Sequence, residues 1–250
     1  MHGTATLQAP APAAAGTGAA AQLERVQTLQ NRIRHMQRRT LESRTLPTLP
    51  PLAELLPGGA LHCGVAYSVQ ESHALVMALL AGPSGSGAWC GLVGLPDFGV
   101  EAAAGFGINL DRLVLVPHPG EQWLSVTAAL ADVLQLVVTR PPTRARDADA
   151  ARLAARLRQR GSTLIAVGAW PQSEARLSVV ASRWNGLNSG SGRLTDREAT
   201  ITVTVDAGLH RSRSGRLRLP ASDAGLGRLP APAAAESAES VQTPQLRAVV

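Results

Sequence analysis

Residues 67–75 read Tyr67-Ser68-Val69-Gln70-Glu71-Ser72-His73-Ala74-Leu75, and they decide how the rest of the sequence is interpreted. An apolar run leads into this stretch and a helical pattern leads out of it. A strand, a turn and a helix in this order bind phosphate when the turn is rich in glycine and a lysine begins the helix. This stretch has neither feature, and all 24 residues counted as Lys+Arg in the chain are arginine. We therefore expect that no nucleotide binds here in the usual way.

The sequence around this stretch predicts an α/β fold. Short apolar runs that do not alternate with polar residues, separated by amphipathic helices, are typical of a mainly parallel sheet covered on both faces. The predicted strands are residues 61–67, 89–95, 113–117, 133–139 and 163–167, and the predicted helices are residues 72–81, 100–106, 122–131 and 148–160. Three further runs alternate in the manner of strands, at 176–183, 199–205 and 216–219. We expect these runs to extend the central sheet with antiparallel strands.

The two ends of the chain differ in composition from this core. Residues 1–21 and 221–250 are rich in Ala, Pro, Ser and Gly and predict disordered tails. Residues 22–45 predict a basic helix, whose apolar stripe runs from Leu23 to Leu41 at three- and four-residue spacing. The core is expected to span residues 46–220. No segment has the basic start and leucine-rich stretch of a signal peptide or the length of a membrane span, so we expect a soluble, cytoplasmic protein.

Composition limits the class of partner and of site. The net charge of +6 and the sequence pI of about 11.0 favour acidic partners such as DNA, but an arginine-only, alanine-rich chain is also typical of a GC-rich genome. Cys63 and Cys90 lie in apolar runs without the spacing of a metal site. We expect them to be buried thiols, and we expect no metal and no cofactor.

Two other patterns resemble functional motifs but do not predict chemistry. Residues 82–87 have the glycine spacing of a phosphate loop, but they lead from a helix into a strand and predict only a turn. Ser72, His73 and Asp97 are the residue types of a hydrolase triad, yet adjacent helical residues point about 100° apart and no nucleophile elbow is visible. Ser72 is expected to cap the helix instead.

A family resemblance emerges when Tyr67 is placed on the tyrosine that precedes the phosphate loop of RecA-type recombinases. Residues 49–205 then resemble that family, which implies a RecA-like core. Leu56-Pro57-Gly58-Gly59-Ala60-Leu61-His62-Cys63-Gly64 resembles the glycine-rich entry to its first core strand. Phe106-Gly107-Ile108-Asn109-Leu110-Asp111-Arg112-Leu113 and Pro117-His118-Pro119-Gly120-Glu121-Gln122 resemble its Leu-Gly-Val-Asp-x-Asp-x-Leu and Pro-x-x-Gly-Glu-Gln segments.

The resemblance implies that the nucleotide site has degenerated. Two loop glycines fall on Ser68 and His73, the lysine on Ala74, and the magnesium-binding hydroxyl on Leu75. The magnesium-organising aspartate is replaced within residues 137–140, and the water-activating acid falls near Pro96, one place before Asp97. The segments that would be the two DNA-binding loops are also short. The resemblance therefore implies a pseudo-ATPase with neither ATPase nor recombinase activity.

Within this superfamily, Trp184-Asn185-Gly186-Leu187 followed by Gly192-Arg193-Leu194 resembles the actinobacterial ImuA-prime (inducible mutagenesis A-prime) family. That resemblance implies a non-catalytic adaptor of the DNA damage (SOS) response. Its partner would be ImuB, an inactive Y-family-polymerase-like protein, and it would indirectly support an error-prone replicative-type polymerase and the sliding clamp in mutagenic translesion synthesis. The alternative is a SulA-like regulator of cell division or a modulator of RecA.

Candidate contact residues lie in two regions of the sequence. Trp170 and Trp184 follow the fifth predicted strand and are candidate anchors for a protein partner. The predicted basic helix could contact DNA phosphates weakly and in a salt-sensitive way, or present a solvated face while its stripe packs on the core or a partner. Its candidate DNA contacts are Arg32, Arg34, Arg38 and Arg39.

Overall fold

The computed structural model describes residues 44–188, 191–205, 211–219 and 227–228. The predicted first tail, the predicted basic helix up to Ser43 and most of the predicted second tail lie outside these residues. Thr45 already belongs to a strand, and Gly227–Arg228 form a short strand within the second predicted tail.

The described elements alternate between strand and helix as far as residue 167 and are strands thereafter. The helices are α1 (Pro50–Ala53), α2 (His73–Gly85), α3 (Val100–Gly105), α4 (Trp123–Val133) and α5 (Asp147–Arg160), with single 3-10 turns at Pro57–Gly59, Leu110–Arg112 and Gly120–Gln122. The strands are β1 (Thr45–Leu46), β2 (Leu61–His62), β3 (Ala66–Val69), β4 (Cys90–Val93), β5 (Leu113–Val116), β6 (Leu136–Thr139), β7 (Thr163–Val167), β8 (Arg176–Asn188), β9 (Ser191–Val205), β10 (Arg211–Leu219) and β11 (Gly227–Arg228).

Within the described residues, nine strands form the central sheet in the order β11-β10-β9-β8-β3-β7-β6-β4-β5. Neighbouring strands are parallel from β8 to β5 and antiparallel from β8 to β11. The antiparallel pair β1 and β2 lies apart from this sheet. The expected fold class, a mainly parallel sheet flanked by helices and extended by antiparallel strands, is confirmed.

The apolar runs do not alternate because both faces of the parallel strands are buried. Leu136, Val138 and Ile165 pack with α2 and α3 on one face, in the core that also includes the antiparallel strands. Val137 and Leu164 point to the opposite face and pack with α4 and α5. Each residue of such a strand meets a helix layer on one side or the other, and burial removes a whole Leu, Ile or Val side chain from water, at about 1.5–3 kcal/mol each.

The structure corrects three details of the predicted elements. The strand predicted at 61–67 is two strands, because Gly64 turns the chain with φ of 82° and a Cβ there would lie 3.2 Å from the Arg158 Cα. Residues 133–135 are the end of α4 and a connection, so β6 starts only at Leu136. Residues 82–85 continue α2, and the turn predicted over 82–87 occupies only its last two residues.

The antiparallel hairpin is longer than predicted. β8 contacts β3 only through the pairs Ser68↔Arg176 and Val69↔Leu177, and β10 covers β9 only from Arg197 onward. From Ser178 to Trp184, β8 still lies in one sheet with β9 and β10. Beyond the pair Trp184↔Arg197, β8 and β9 continue as a ribbon of two strands, up to the pair Asn188↔Ser191. We refer to residues 185–188 and 191–196 as the ribbon.

The buried thiol of Cys90 gives a test of the sheet. Cys90 in β4 is fully buried, and burial raises its pKa to about 12; burial likewise raises the pKa of Cys63. A thiol reagent should therefore fail to modify either cysteine in the native protein at mildly alkaline pH and should modify both in denaturant. Rapid modification of Cys90 in the native state would contradict this placement of β4.

The raised pKa of Cys90 also predicts how the stability of the protein depends on pH. Native Cys90 holds its proton more tightly than the unfolded chain, in which a thiol has its ordinary pKa of about 9.0. Its contribution to stability should be fully present below pH 9 and should fall as the pH rises toward 12. Denaturant unfolding of the wild type and of Cys90→Ala over this range measures it, because the variant lacks this part of the pH dependence.

Candidate functional site

Three polar side chains from separate loops meet at the carboxyl edge of the parallel strands. His73 is the first residue of α2, just beyond β3; Asp97 lies four residues beyond β4; and Arg140 follows β6 directly. Ligands of open parallel sheets bind outside this edge. In the resemblance to RecA-type recombinases, His73 takes the position of a loop glycine. Asp97 is next to the position of the water-activating acid, and Arg140 lies in the stretch that replaces the magnesium-organising aspartate.

The guanidinium of Arg140 joins the other two side chains. Its Nη1 donates to Asp97 Oδ1 at 3.3 Å, and its Nη2 lies 2.8 Å from His73 Nε2. Asp97 Oδ2 is 3.7 Å from the same His73 nitrogen, which is too far for a hydrogen bond. The Asp97 side chain is 61% exposed and that of Arg140 is 26% exposed. An ion pair as exposed as this one contributes little stability and acts mainly by holding Arg140 in place.

The contact between Arg140 and His73 fixes the state of the imidazole. A guanidinium has five donors and no acceptor, so His73 Nε2 must accept the hydrogen bond. The ring is therefore neutral, with its proton on Nδ1. A permanent cation thus lies beside the first residue of a helix, where a phosphate loop would hold an anion.

Backbone geometry after β4 and β6 sets the position of Arg140. The Arg140 amide donates to the Val93 carbonyl at 2.9 Å and so closes the end of the β4–β6 pair. Gly94 follows Val93 with φ of 76°, and a Cβ on it would lie only 2.6 Å from the Arg140 carbonyl oxygen. Only glycine accepts both this conformation and this approach without strain. Gly94 therefore allows the two strand ends to come together at the site.

The residues at the former loop positions serve the fold. Ser68 is buried, and its Oγ donates to the Gly168 carbonyl at 2.7 Å, which ties β3 to the end of β7. Ala74 packs against the core, and Leu75 lies fully inside it. Ser72 caps α2 as expected, because its Oγ accepts from the Leu75 amide at 3.3 Å.

An open cavity of about 350 Å³ borders the same loop on the side of the hairpin. Gln70, Glu71 and Ser72 form the loop wall, and Val179 and Arg197 form the hairpin wall. Arg197 donates from Nη2 to Ser182 Oγ at 3.1 Å, and its guanidinium lies 5.5 Å from the centre of the Trp184 ring. Such stacking of a guanidinium on indole is a cation–π contact.

The two predicted tryptophan contacts have different environments. Trp184 is 54% exposed on β8, so it is accessible as expected. Trp170 is only 4% exposed and packs edge-on against Trp123, with ring centres 6.4 Å apart. Trp170 is thus a core residue beneath α4 in this structure rather than an exposed contact, because the loop after β7 folds back over the helix layer.

Several arginines of α5 are occupied by carboxylates. Arg156 and Arg160 both pair with Asp132 of α4, and Arg152 pairs with Asp149. The hydrogen bond from Arg156 lowers the pKa of Asp132 below its ordinary value. The two pairs with Asp132 join α4 to α5, and all three pairs leave that surface less basic than the sequence indicates. The candidate DNA contacts Arg32, Arg34, Arg38 and Arg39 lie outside the described residues.

The described residues show neither a group of metal ligands nor a membrane-spanning helix. Among these residues, no group of three or more His, Cys, Asp or Glu side chains is placed to hold a metal ion. No helix in the same part of the chain is long and apolar enough to cross a bilayer.

The sequence singled out His73 and Asp97 as possible triad residues and Arg140 as part of another segment, but it did not show that Arg140 joins the other two. The available signal was position: Asp97 and Arg140 lie within two places of the end of a predicted strand, and His73 lies six places beyond the strand predicted to end at residue 67. It also missed the stacking of Arg197 on Trp184, because that contact depends on the register of the hairpin.

A known family model covers the part of the chain that contains this site. The model described as "MT3502 N-terminal domain" matches residues 54–172, from the end of α1 to just beyond β7. The match includes His73, Asp97 and Arg140. It stops before β8, so the antiparallel hairpin and its tryptophan lie outside the matched segment.

The chain is also similar to individual proteins, among them these two. "Uncharacterized protein Rv3395c" of Mycobacterium tuberculosis is 35% identical over 133 residues, which are 50% of this chain and 64% of that protein. The chain therefore spans slightly less than two thirds of the length of this relative. The flagellar accessory protein FlaH from Methanocaldococcus jannaschii is a solved structure with a TM-score of 0.46 and 10% identity, over 70% of this chain and 93% of that one.

The proton position on His73 tests the cluster. Because Arg140 donates to Nε2, long-range ¹⁵N–¹H correlation spectra at neutral pH should show the His73 proton on Nδ1 alone. Arg140→Leu removes the donor and should shift the ring toward the other tautomer. Arg144→Leu, an exposed arginine in the same loop, is the matched control and should leave it unchanged. A proton on Nε2 in the wild type would contradict the contact.

Proposed function

We propose that this protein is a non-catalytic adaptor in damage-induced mutagenic translesion DNA synthesis, built on an α/β domain that has given up nucleotide chemistry. It binds an inactive polymerase-like partner of the ImuB type. Through that partner it supports an error-prone replicative-type polymerase and the sliding clamp. The proposal that the protein is not catalytic is supported mainly by the hydrogen bonds at the carboxyl edge of the sheet, where Arg140 contacts both His73 and Asp97.

The positions that phosphoryl transfer would use are occupied by residues that cannot support it. The reaction needs a metal ion and positive charge clamped on the phosphates, and a group that orients the nucleophile. Leu75 is a buried hydrocarbon where a hydroxyl would hold magnesium. Arg140 is a fixed cation beside the place a magnesium ion would take, and it would repel one. The Ser72 cap satisfies a helix amide that would otherwise face a phosphate. These features favour a domain that binds partners.

The translesion role rests on sequence resemblance. The segments around Trp184 and Gly192 resemble the ImuA-prime family, and the similar Rv3395c protein comes from a mycobacterium, which is an actinobacterium. Trp184 is exposed, as an anchor for a protein partner would be. In this proposal the predicted basic helix contributes at most a weak contact with DNA.

Co-expression tests the proposal directly. The full-length chain and the ImuB-type protein of the same genome, expressed together, should co-purify as a stable complex at moderate salt. A tagged unrelated protein is the control bait. Failure of the two chains to co-purify while each is soluble alone would contradict the proposal.

Forced expression separates the proposal from the SulA-like alternative. An adaptor without its partner should leave cell division unchanged, because it has no target at the septum. Cells that filament on expression of this chain alone would instead favour the regulator of division.

A further inference from the structure

One edge of the hairpin is open beside the former phosphate loop. β8 pairs with β3 only at Arg176 and Leu177, and β3 ends at Val69. From Ser178 onward, the described part of the chain places no strand on that side of β8. Exposed strand edges carry unpaired backbone groups that accept another strand.

The register of the hairpin identifies the backbone groups at this edge. The Gln70 amide donates to the Leu177 carbonyl at 2.8 Å, so Leu177 turns its backbone toward β3 and forms a non-hydrogen-bonded pair with Val203 of β9. Hydrogen-bonded and non-hydrogen-bonded pairs alternate along β9. The bulge after Val179 adds one residue to β8 and so shifts by one which β8 residues form each kind of pair. The pairs Ser182↔Ala199 and Trp184↔Arg197 are therefore also non-hydrogen-bonded, and Ser182 and Trp184 present their N–H and C=O groups to the open edge.

The side chains at this edge provide a pocket with defined chemistry. Cross-strand side chains approach closely in a non-hydrogen-bonded pair, which accounts for the stacking of Arg197 on Trp184. Arg197 also lines the cavity of about 350 Å³, with Val179 on the same wall. Its Nη2 is held by Ser182, while its Nε has no hydrogen-bond partner among the described residues. The hairpin wall thus combines an exposed indole, an apolar side chain and a guanidinium whose buried Nε lacks an acceptor among the described residues.

We propose that an extended segment of a partner protein adds to β8 as a further strand at Ser182 and Trp184, with a carboxylate side chain received by Arg197. The inference rests on the proposed function, since the segment belongs to the polymerase-like partner. The unpaired backbone groups specify a polypeptide strand as the occupant, because only a strand completes the ladder. Glu71 on the opposite wall adds a negative charge that disfavours a polyanionic phosphate chain in the cavity.

A matched pair of variants at Ser182 tests strand addition. Ser182→Pro and Ser182→Ala both lose the hydroxyl that holds Arg197, but only proline also removes the N–H at the open edge. That N–H makes no ladder bond to β9, so the hairpin should tolerate proline as edge strands do. The dissociation constant for the polymerase-like partner should rise about tenfold or more for Ser182→Pro relative to Ser182→Ala. Equal affinity of the two variants would overturn the inference.

A second pair tests the pocket without touching the backbone. Trp184→Ala should weaken the complex about tenfold, as loss of a central aromatic anchor does. Trp89→Ala is the matched control, because Trp89 is also exposed, at 43%, but lies at the start of β4 toward the opposite edge of the sheet. Equal effects of the two substitutions on affinity would contradict the role of Trp184 as an anchor for the partner.

Amide hydrogen exchange distinguishes strand addition from side-chain docking. In the wild-type complex, the amides of Ser182 and Trp184 should gain protection, while those of Arg183 and Asn185, already paired with β9, should change little. Unchanged exchange at Ser182 and Trp184 in a stable complex would overturn the inference and leave the proposed function standing. Absence of any complex with the wild type would instead overturn the proposed function. Tight binding of a single-stranded oligonucleotide that Trp184→Ala abolishes would assign the edge to nucleic acid and reject a peptide occupant.

Discussion

A guanidinium placed at the carboxyl edge of a parallel sheet cannot lose its charge, so the acceptors beside it determine which of its donors are bonded. The Nη atoms of Arg140 are bonded, whereas its Nε is buried without a partner among the described residues. In this protein Arg140 follows β6 and finds Asp97 after β4 and His73 at the start of α2. Gly94 makes the contact possible, because no side chain fits between the ends of β4 and β6. The edge is thereby occupied by the protein's own charges, and the interpretation of the whole site depends on this cluster.

Positions that the resemblance assigns to a phosphate loop contribute to the fold in this structure. Ser68 ties two strands together, and Leu75 is a core residue. Burying a leucine in place of a polar group contributes about 1.5–3 kcal/mol to folding. The sheet remains as a rigid base from which the hairpin projects.

The predictable part of the fold was the part buried on both faces. β7 was predicted without error, and the start of α2 was predicted to within one residue, because continuous apolar runs and a serine cap are strong local signals. The break at Gly64 was missed because it depends on contact with α5, far along the chain. The ribbon was missed because its alternation carries little apolar contrast outside the core.

The site was less predictable than the fold because its contacts are non-local. His73, Asp97 and Arg140 were each singled out, but their meeting depends on the strand order β3-β7-β6-β4, which no local pattern encodes. Trp170 was expected at the surface because it follows a strand in a loop, yet the loop folds it onto Trp123. Periodicity locates elements, whereas contacts between loops require the assembled sheet.

Titration of the wild-type protein with magnesium–ATP in a calorimeter tests the central claim most directly. If the Arg140 cluster fills the former nucleotide site, no saturable heat should appear up to about millimolar ligand, a limit that corresponds to about 4 kcal/mol of binding free energy. Saturable, magnesium-dependent binding at one site per chain would contradict the account.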